Sequence, residues 1–358
     1  MINVTKTFLP DFNEYVQTIK RAWDKAHLTN NGELVQELEK ELKQYLGVKH
    51  LWFTGNGTIV LQMALKALGH KTGEVITTPF SYVATTNAIL WEGFTPIFVD
   101  INDKDFCIDA DKIEAAITEN TIAILATHVY GNPCDIEKIE AIAKRHNIKV
   151  IYDAAHAFGA SYKGKQMLSY GDISTCSFHA TKVFHTVEGG CIITNDDALS
   201  QTLVLYRQFG HIGDDYYSVG INGKNSEFHA AMGICNFPHL NTIIEARKTA
   251  SATYDKALAG CAIYRPVALP ETDYNYAYYP VVFKDETTLL NVRALLAKND
   301  IFTRRYFYPS LNLLPFFNNP NQCPVSEDIS KRVLSLPLSA EITTEEVTTI
   351  CRLVKSII

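Results

Sequence analysis

No apolar run in this chain approaches the roughly 20 residues needed to cross a bilayer. The N-terminal stretch MINVTKTFLPDF lacks the apolar core of a secretory signal. Both absences predict a protein with no membrane partner and a cytoplasmic location. Clustered metal ligands are missing as well. The eight cysteines (Cys107, Cys134, Cys176, Cys191, Cys235, Cys261, Cys323 and Cys351) are scattered and form no CxxC pair. Zinc sites gather thiolates or imidazoles at short spacing, so no metal is expected. The thiols read as buried and unpaired in a reducing compartment. Basic charge is scarce: 33 Lys and Arg against 39 Asp and Glu give a net charge of −6. No basic patch stands out to hold nucleic acid. Neither GxxxxGK[ST] nor GxGxxG occurs, which argues against a P-loop and against a nicotinamide-dependent oxidoreductase.

What is present suits a soluble α/β protein. The 358 residues are 47% hydrophobic and 20% charged. Short β-branched runs alternate with amphipathic segments from about residue 50 to 155: LWFTGNG, TIVLQMALKALG, EVITT, YVATTNAILWEG, TPIFVD, DADKIEAAIT, TIAILATHV, DIEKIEAIAKRHN and IKVIYDAA. Strands that are apolar throughout belong in a sheet covered on both faces. The alternation predicts a mostly parallel central sheet wrapped by helices. Two helices precede it, the second ending at Gly47 as a left-handed cap. After residue 171 the order changes to two strands, DISTCSF and GCIITN. Beyond about 240 come helix, YNYAYYPVVFK, helix, FTRRYFYP and a final helix, TEEVTTICRLVKSI. The expected division is residues 1–240 as a large α/β unit and 241–358 as a small α+β unit.

Three stretches carry chemistry. FTGNGTIVLQ places a Gly turn before a helix N-terminus, whose unpaired N–H groups suit a phosphate; taken alone, a plain tight turn with Thr58 helping to cap the helix is the better reading. VIYDAAHAFG puts Asp153 at the C-terminal end of a parallel strand, where open α/β sheets hold ligands. His156 follows three residues later. Structural alternatives are a helix cap for Asp153 and a satisfied core histidine for His156. SFHATKVFHTVEGG sets Lys182 just past a strand that ends at Ser177. A lysine in a partly desolvated pocket, near other positive charge, has its pKa lowered and becomes nucleophilic; a solvated loop lysine is the ordinary alternative. Gly189 and Gly190 allow close backbone approach. Together the three stretches meet the needs of pyridoxal 5′-phosphate: donors for its phosphate, a carboxylate for its ring nitrogen, and an amine for its aldehyde.

From about residue 25 to the C-terminus the chain resembles the DegT/StrS family of nucleotide-sugar aminotransferases, which have the fold type I of pyridoxal-phosphate enzymes. The resemblance lies in GNGTIVLQMALKALG, GEVITTPFSYVATTNAIL, GFTPIFVDI, HVYGNPCDIEKIEAIAKRHNIKVIYDAAHAFGASYKGK, GDISTCSFHATK, EGGCIITND and GINGKNSEFHAAMG. It implies that Lys182 is the Schiff-base lysine and Asp153 the partner of the pyridine nitrogen. His156 lies beside it, against the ring hydroxyl. Gly55, Asn56 and Ser177 match phosphate-binding positions, and Tyr82 matches the aromatic stacked on the cofactor. Asn222 matches an asparagine that reaches the neighbouring subunit's phosphate, which implies a homodimer with shared sites. Val183, Gly223 and Asn225 depart from the residues common there, and TRRYFYPSLN replaces the commoner His-Tyr-x-Pro-Leu-His form. A dehydratase branch carries histidine in place of the lysine, so Lys182 favours transamination.

The expected function is transfer of an amino group from L-glutamate to a nucleotide-linked keto-deoxysugar. KVF…EGG, GINGK and RRYFYP resemble a subgroup acting at C4 of dTDP-4-keto-6-deoxyglucose, for an amino sugar of surface polysaccharide. C3 amination, a UDP-linked 4-keto sugar, and a non-catalytic cofactor-binding sensor are the alternatives. Arg304 and Arg305 are candidates to pair with the sugar's pyrophosphate, because guanidinium forks suit phosphate; a surface arginine pair is the alternative.

Overall fold

A computed structural model describes residues 1–317 and 321–358. Its centre is a seven-stranded sheet. The strands are β1 (His50–Thr54), β2 (Glu74–Thr77), β3 (Thr95–Phe98), β4 (Thr121–Thr127), β5 (Lys149–Asp153), β6 (Ile173–Ser177) and β7 (Gly190–Thr194). Their order is β1-β7-β6-β5-β4-β2-β3. The run from β6 to β3 is parallel throughout, while β7 lies antiparallel to both neighbours. The mostly parallel, helix-covered sheet expected from the sequence is the fold.

The physical reason is visible in β4. All seven of its residues are buried, because helices cover both faces and leave no place for a polar alternation. One apolar layer packs α2 (Glu33–Leu46) and α7 (Glu227–Asn236) on the sheet, with α1 (Phe12–Trp23) against α7 and with Leu34, Leu38 and Phe53 fully buried. The other packs α3 (Gly57–Ala67), α4 (Val83–Trp91) and α6 (Asp197–Arg207), with Val60, Ala64 and Ile89 buried. Each of the Leu, Phe, Val and Ile side chains among these contributes about 1.5–3 kcal/mol by leaving water. α5 (Ile136–His146) makes the β4–β5 crossover. DADKIEAAIT, read as a full helix, forms only a four-residue helix and a 3-10 turn.

A second apolar cluster lies in the C-terminal part. α8 (Leu240–Ala257), α9 (Glu286–Ala297) and α11 (Thr344–Lys355) enclose a two-stranded ribbon, β8 (Tyr279–Val282) with β9 (Val333–Leu336); α10 (Pro324–Arg332) leads into β9. The first residues of the chain cross to this part. Ile2 bridges Ile301, and Val4 accepts a hydrogen bond from Leu338 N. FTRRYFYP was read as a strand. It makes only isolated bridges, Ile2 to Ile301 before it and Arg304 to Ser335 within it; Phe307 and Tyr306 pack on the core, while Phe302 and Tyr308 stay exposed. Among the described residues no helix is long and apolar enough to cross a membrane.

Candidate active site

A cavity of about 630 Å³ opens where β5 and β6 end, and Lys182, Asp153, His156, Ser177 and Asn56 all line it. Asp153 is the last residue of β5 and is 6% exposed. No helix follows it, so it caps nothing. Its Oδ1 accepts from Ala155 N at 3.1 Å, and its Oδ2 accepts from Thr85 Oγ1 at 2.7 Å. Burial pushes this carboxyl above its usual range, while Thr85, Ala155 and Lys182 oppose the shift. Thr85 sits in the first turn of α4, and the sequence alone did not single it out.

His156 is as deeply buried. Its Nδ1 accepts from Tyr130 N at 3.2 Å. In a neutral ring that leaves the proton on Nε2, available as a donor. Burial, with Lys182 adding to it, holds this histidine well below its usual pKa. Phe307 stacks on the ring at 5.6 Å and fixes its plane.

Lys182 follows β6 on a loop that hydrogen-bonds to itself. Phe178 N donates to Gly189 O, and Lys182 N donates to His179 O. Val183 and Phe184 anchor the loop in the core. The Lys182 Nζ is half-buried and lies 3.4 Å from the Tyr278 hydroxyl. The expected lowering of its pKa is not found. Burial lowers it, but Tyr278, Asp153 and Cys176 outweigh burial and the net direction is upward. Among the described residues no second cation acts on Lys182, which is why the expectation failed. Tyr278, 96 positions away in sequence, could not be foreseen.

The Gly turn is displaced from its expected register. Gly55 gives its N–H to Gly223 O at 3.0 Å, so it has none to offer a phosphate. Asn56 is the N-cap of α3, its Oδ1 accepting from Thr58 N and Ile59 N; Thr58 is not the cap. Gly57 and Thr58 line the cavity beside Asn56. Gly57 has no room for a side chain: a Cβ there would lie 2.6 Å from Ser177 Cβ. The helix N-terminus and the Ser177 hydroxyl are thus pressed together as one concave corner, suited to an anion. Asn225, a departure noted above, donates to Thr54 O and Glu188 O and ties the end of β1 to the lysine loop. Glu227 of the same stretch caps α2 by accepting from Leu34 N and Val35 N.

At the rim, Tyr82 is 56% exposed and presents its ring to the cavity. Arg304 also lines it and has no carboxylate partner among the described residues. Arg305 does not line it. It pairs with Glu286 at 2.7 Å, donates to Lys331 O, and lies over the Tyr308 ring; as a pyrophosphate ligand it is set aside. Asn222 is exposed and outside this chain's cavity.

A lysine, a strand-end carboxylate and an anion-binding helix start, gathered on this sheet, define a pyridoxal-phosphate enzyme of fold type I. The residues fit that group: the corner at Gly57 can take an anion, His156 Nε2 can donate, and Asp153 can hold a protonated ring nitrogen. The chain belongs to the DegT/DnrJ/EryC1/StrS aminotransferase family, whose profile matches residues 11–355. It is 39% identical over 353 residues to dTDP-4-amino-4,6-dideoxy-D-glucose transaminase of Shigella dysenteriae, covering 96% of this chain and 95% of that one. The Escherichia coli protein of the same name is 39% identical over 366 residues, covering 98% and 97%. Among solved structures, DesI in the presence of its TDP-sugar product superposes with a TM-score of 0.94 at 30% identity, covering 99% of this chain and 92% of that one. The protein is a nucleotide-sugar aminotransferase with pyridoxal 5′-phosphate as cofactor.

Proposed function

We propose that the enzyme moves the amino group of L-glutamate to C4 of dTDP-4-dehydro-6-deoxy-D-glucose. The product is an amino sugar for surface polysaccharide, made in the cytoplasm. The observation that carries the chemistry is the grouping of Lys182, Asp153 and His156 at one cavity floor. The observation that favours the substrate is 39% identity to two transaminases named for a 4-amino-4,6-dideoxyglucose. The same reading assigns residues 1–240 to the cofactor-binding unit and 241–358 to the smaller unit, with the first residues packed on the latter.

Asn56, Gly57 and Ser177 would hold the cofactor's phosphate, Tyr82 would stack on its ring, and Lys182 would bind its aldehyde carbon. When bound, the cofactor supplies an electron sink that acidifies the donor's Cα–H. Asp153 keeps the ring nitrogen protonated, through opposite charge at short range. His156 donates from Nε2 to the ring hydroxyl. Once the donor's amine has replaced it at the aldehyde carbon, the freed Lys182 amine would take the proton from the donor's Cα and return it at C4′, as base and then acid. Arg304 pairs with the nucleotide's pyrophosphate.

We also propose a homodimer with Asn222 acting on the partner's cofactor. In support, Asn222 is exposed and lies outside its own cavity, on an arm whose Tyr216, Tyr217 and Val219 are exposed apolar residues. A phosphate held by two chains couples cofactor affinity to assembly. Mixing Lys182→Ala with Asn222→Ala protein tests this. Each mixed dimer carries one doubly defective and one intact site, so activity should partly return; no return despite subunit exchange sinks the shared site.

Incubating the holoenzyme with 15N-glutamate and a panel of dTDP- and UDP-linked keto sugars tests the reaction. The expected result is 15N in the 4-amino dTDP-sugar and equimolar 2-oxoglutarate. Preference for a 3-keto or UDP-linked sugar would overturn the substrate. Absence of 2-oxoglutarate with every acceptor would overturn the donor.

A further inference from the structure

Behind Asp153 stands a row of buried hydroxyls. Thr85 is 0%, Ser81 2% and Thr127 1% exposed. Thr127 Oγ1 lies 3.2 Å from Ser81 Oγ, Ser81 Oγ 2.8 Å from Thr85 Oγ1, and Thr85 Oγ1 2.7 Å from Asp153 Oδ2. The direction of this row is forced. A hydroxyl has one proton. An ionised carboxylate can only accept, so Thr85 gives its proton to Asp153. The Ser81 proton must then go to Thr85, and the Thr127 proton to Ser81. Each donor is polarised by the one behind it, which strengthens the last bond of the row. A hydrogen bond to a charged acceptor at this length is of the strong kind.

We propose that Thr85, backed by Ser81 and Thr127, is a positioning residue that keeps the Asp153 carboxylate charged and aimed at the cofactor's ring nitrogen. The inference rests on the role given to Asp153 above. Ala155 N, on Oδ1, sets one edge of the carboxylate; Thr85 sets the other. The row comes from three elements, the β2–α4 turn, α4 and β4, so it also fixes the Tyr82 segment relative to the end of β5. Among the described residues, the titratable groups coupled to Asp153 are Lys182, the one cation, and the buried Cys176 thiol. Hydroxyls therefore do what a second cation would otherwise do.

A neighbour supplies the control. Thr86 is equally buried, yet its Oγ1 has no hydrogen-bond partner. Replacing it by valine removes a hydroxyl from the same helical turn without touching Asp153. Pyridoxal 5′-phosphate affinity is to be measured by absorbance and fluorescence quenching across pH 5–9 for Thr85→Val, Thr85→Ser, Ser81→Ala and Thr86→Val, beside Asp153→Asn. Thr85→Val should weaken binding roughly tenfold or more. Loss of a bond to the charged form favours the neutral form, so the pH below which affinity falls should move up, by about one unit. Thr85→Ser should restore both, Ser81→Ala should give a smaller shift of the same sign, and Thr86→Val should give none. An unshifted pH profile in Thr85→Val, or an equal shift in Thr86→Val, overturns the proposal. If Thr85→Val does not fold, Ser81→Ala decides: no shift there overturns it too. If Asp153→Asn itself leaves the profile unchanged, the role of Asp153 fails first, and the two failures are told apart.

Discussion

The floor of the cavity and its rim are built on different terms. At the floor, Asp153 and His156 are buried, and each has its hydrogen-bonding edge fixed by a named donor, Thr85 and Ala155 for one and Tyr130 for the other. At the rim, Tyr82 and Arg304 are exposed; Arg304 leans over the Tyr306 ring and has no carboxylate partner among the described residues. The floor is where charge must be held still while a proton moves, so it uses β-strand ends and buried partners. The rim is where a large, charged substrate is met, so its side chains stand open to solvent. Arg304 and Arg305 show the difference within two positions: one faces the cavity, the other is tied to Glu286 and Lys331 O.

The comparison can be tested from the floor upward. Lys182→Ala should leave a folded protein without the cofactor's visible band and with turnover reduced by several orders of magnitude. Near-normal turnover in that variant would break the account of the floor. Asp153→Asn should still bind cofactor through the phosphate corner, while kcat falls by roughly a hundredfold or more; normal kcat in the loaded fraction would reduce Asp153 to a positioning role. At the rim the effects should be on binding. Arg304→Ala should raise KM for the sugar nucleotide about tenfold with kcat little changed. Arg305→Ala should leave KM alone and lower stability by about 1–3 kcal/mol, read in a denaturant melt. The reverse pattern would exchange the two arginines. Tyr82→Ala should have the smallest effect, weakening cofactor binding by about 0.5–1.5 kcal/mol for the lost ring contact.

The floor was also the more legible part of the sequence. Asp153 and Lys182 follow β-branched runs, and in a parallel sheet the ends of such strands gather on one edge. Local periodicity therefore placed them. Side-chain direction was not legible. Nothing in TRRYFYP says that Arg304 faces the cavity and Arg305 faces Glu286, because that follows from a bridge to Ser335 on β9. The aromatic alternation there imitates a strand, but Phe307 uses its ring to hold His156 flat. The Gly turn misled by register. Gly55 looks like a phosphate ligand until Gly223, far along the chain, takes its N–H. Tyr278 and Thr85 were missed because a hydroxyl's role depends on what lies opposite it, and both partners are distant in sequence.

The contact between Gly57 and Ser177 has a consequence for heredity. Because a Cβ at 57 would lie 2.6 Å from that of Ser177, the two codons are not independent. Alanine at 57 becomes tolerable only after 177 has given up its own side chain, and by then the hydroxyl of that corner is gone. Mutational routes through this corner are therefore ordered and one-sided: drift at 57 is blocked first by crowding and afterwards by lost chemistry.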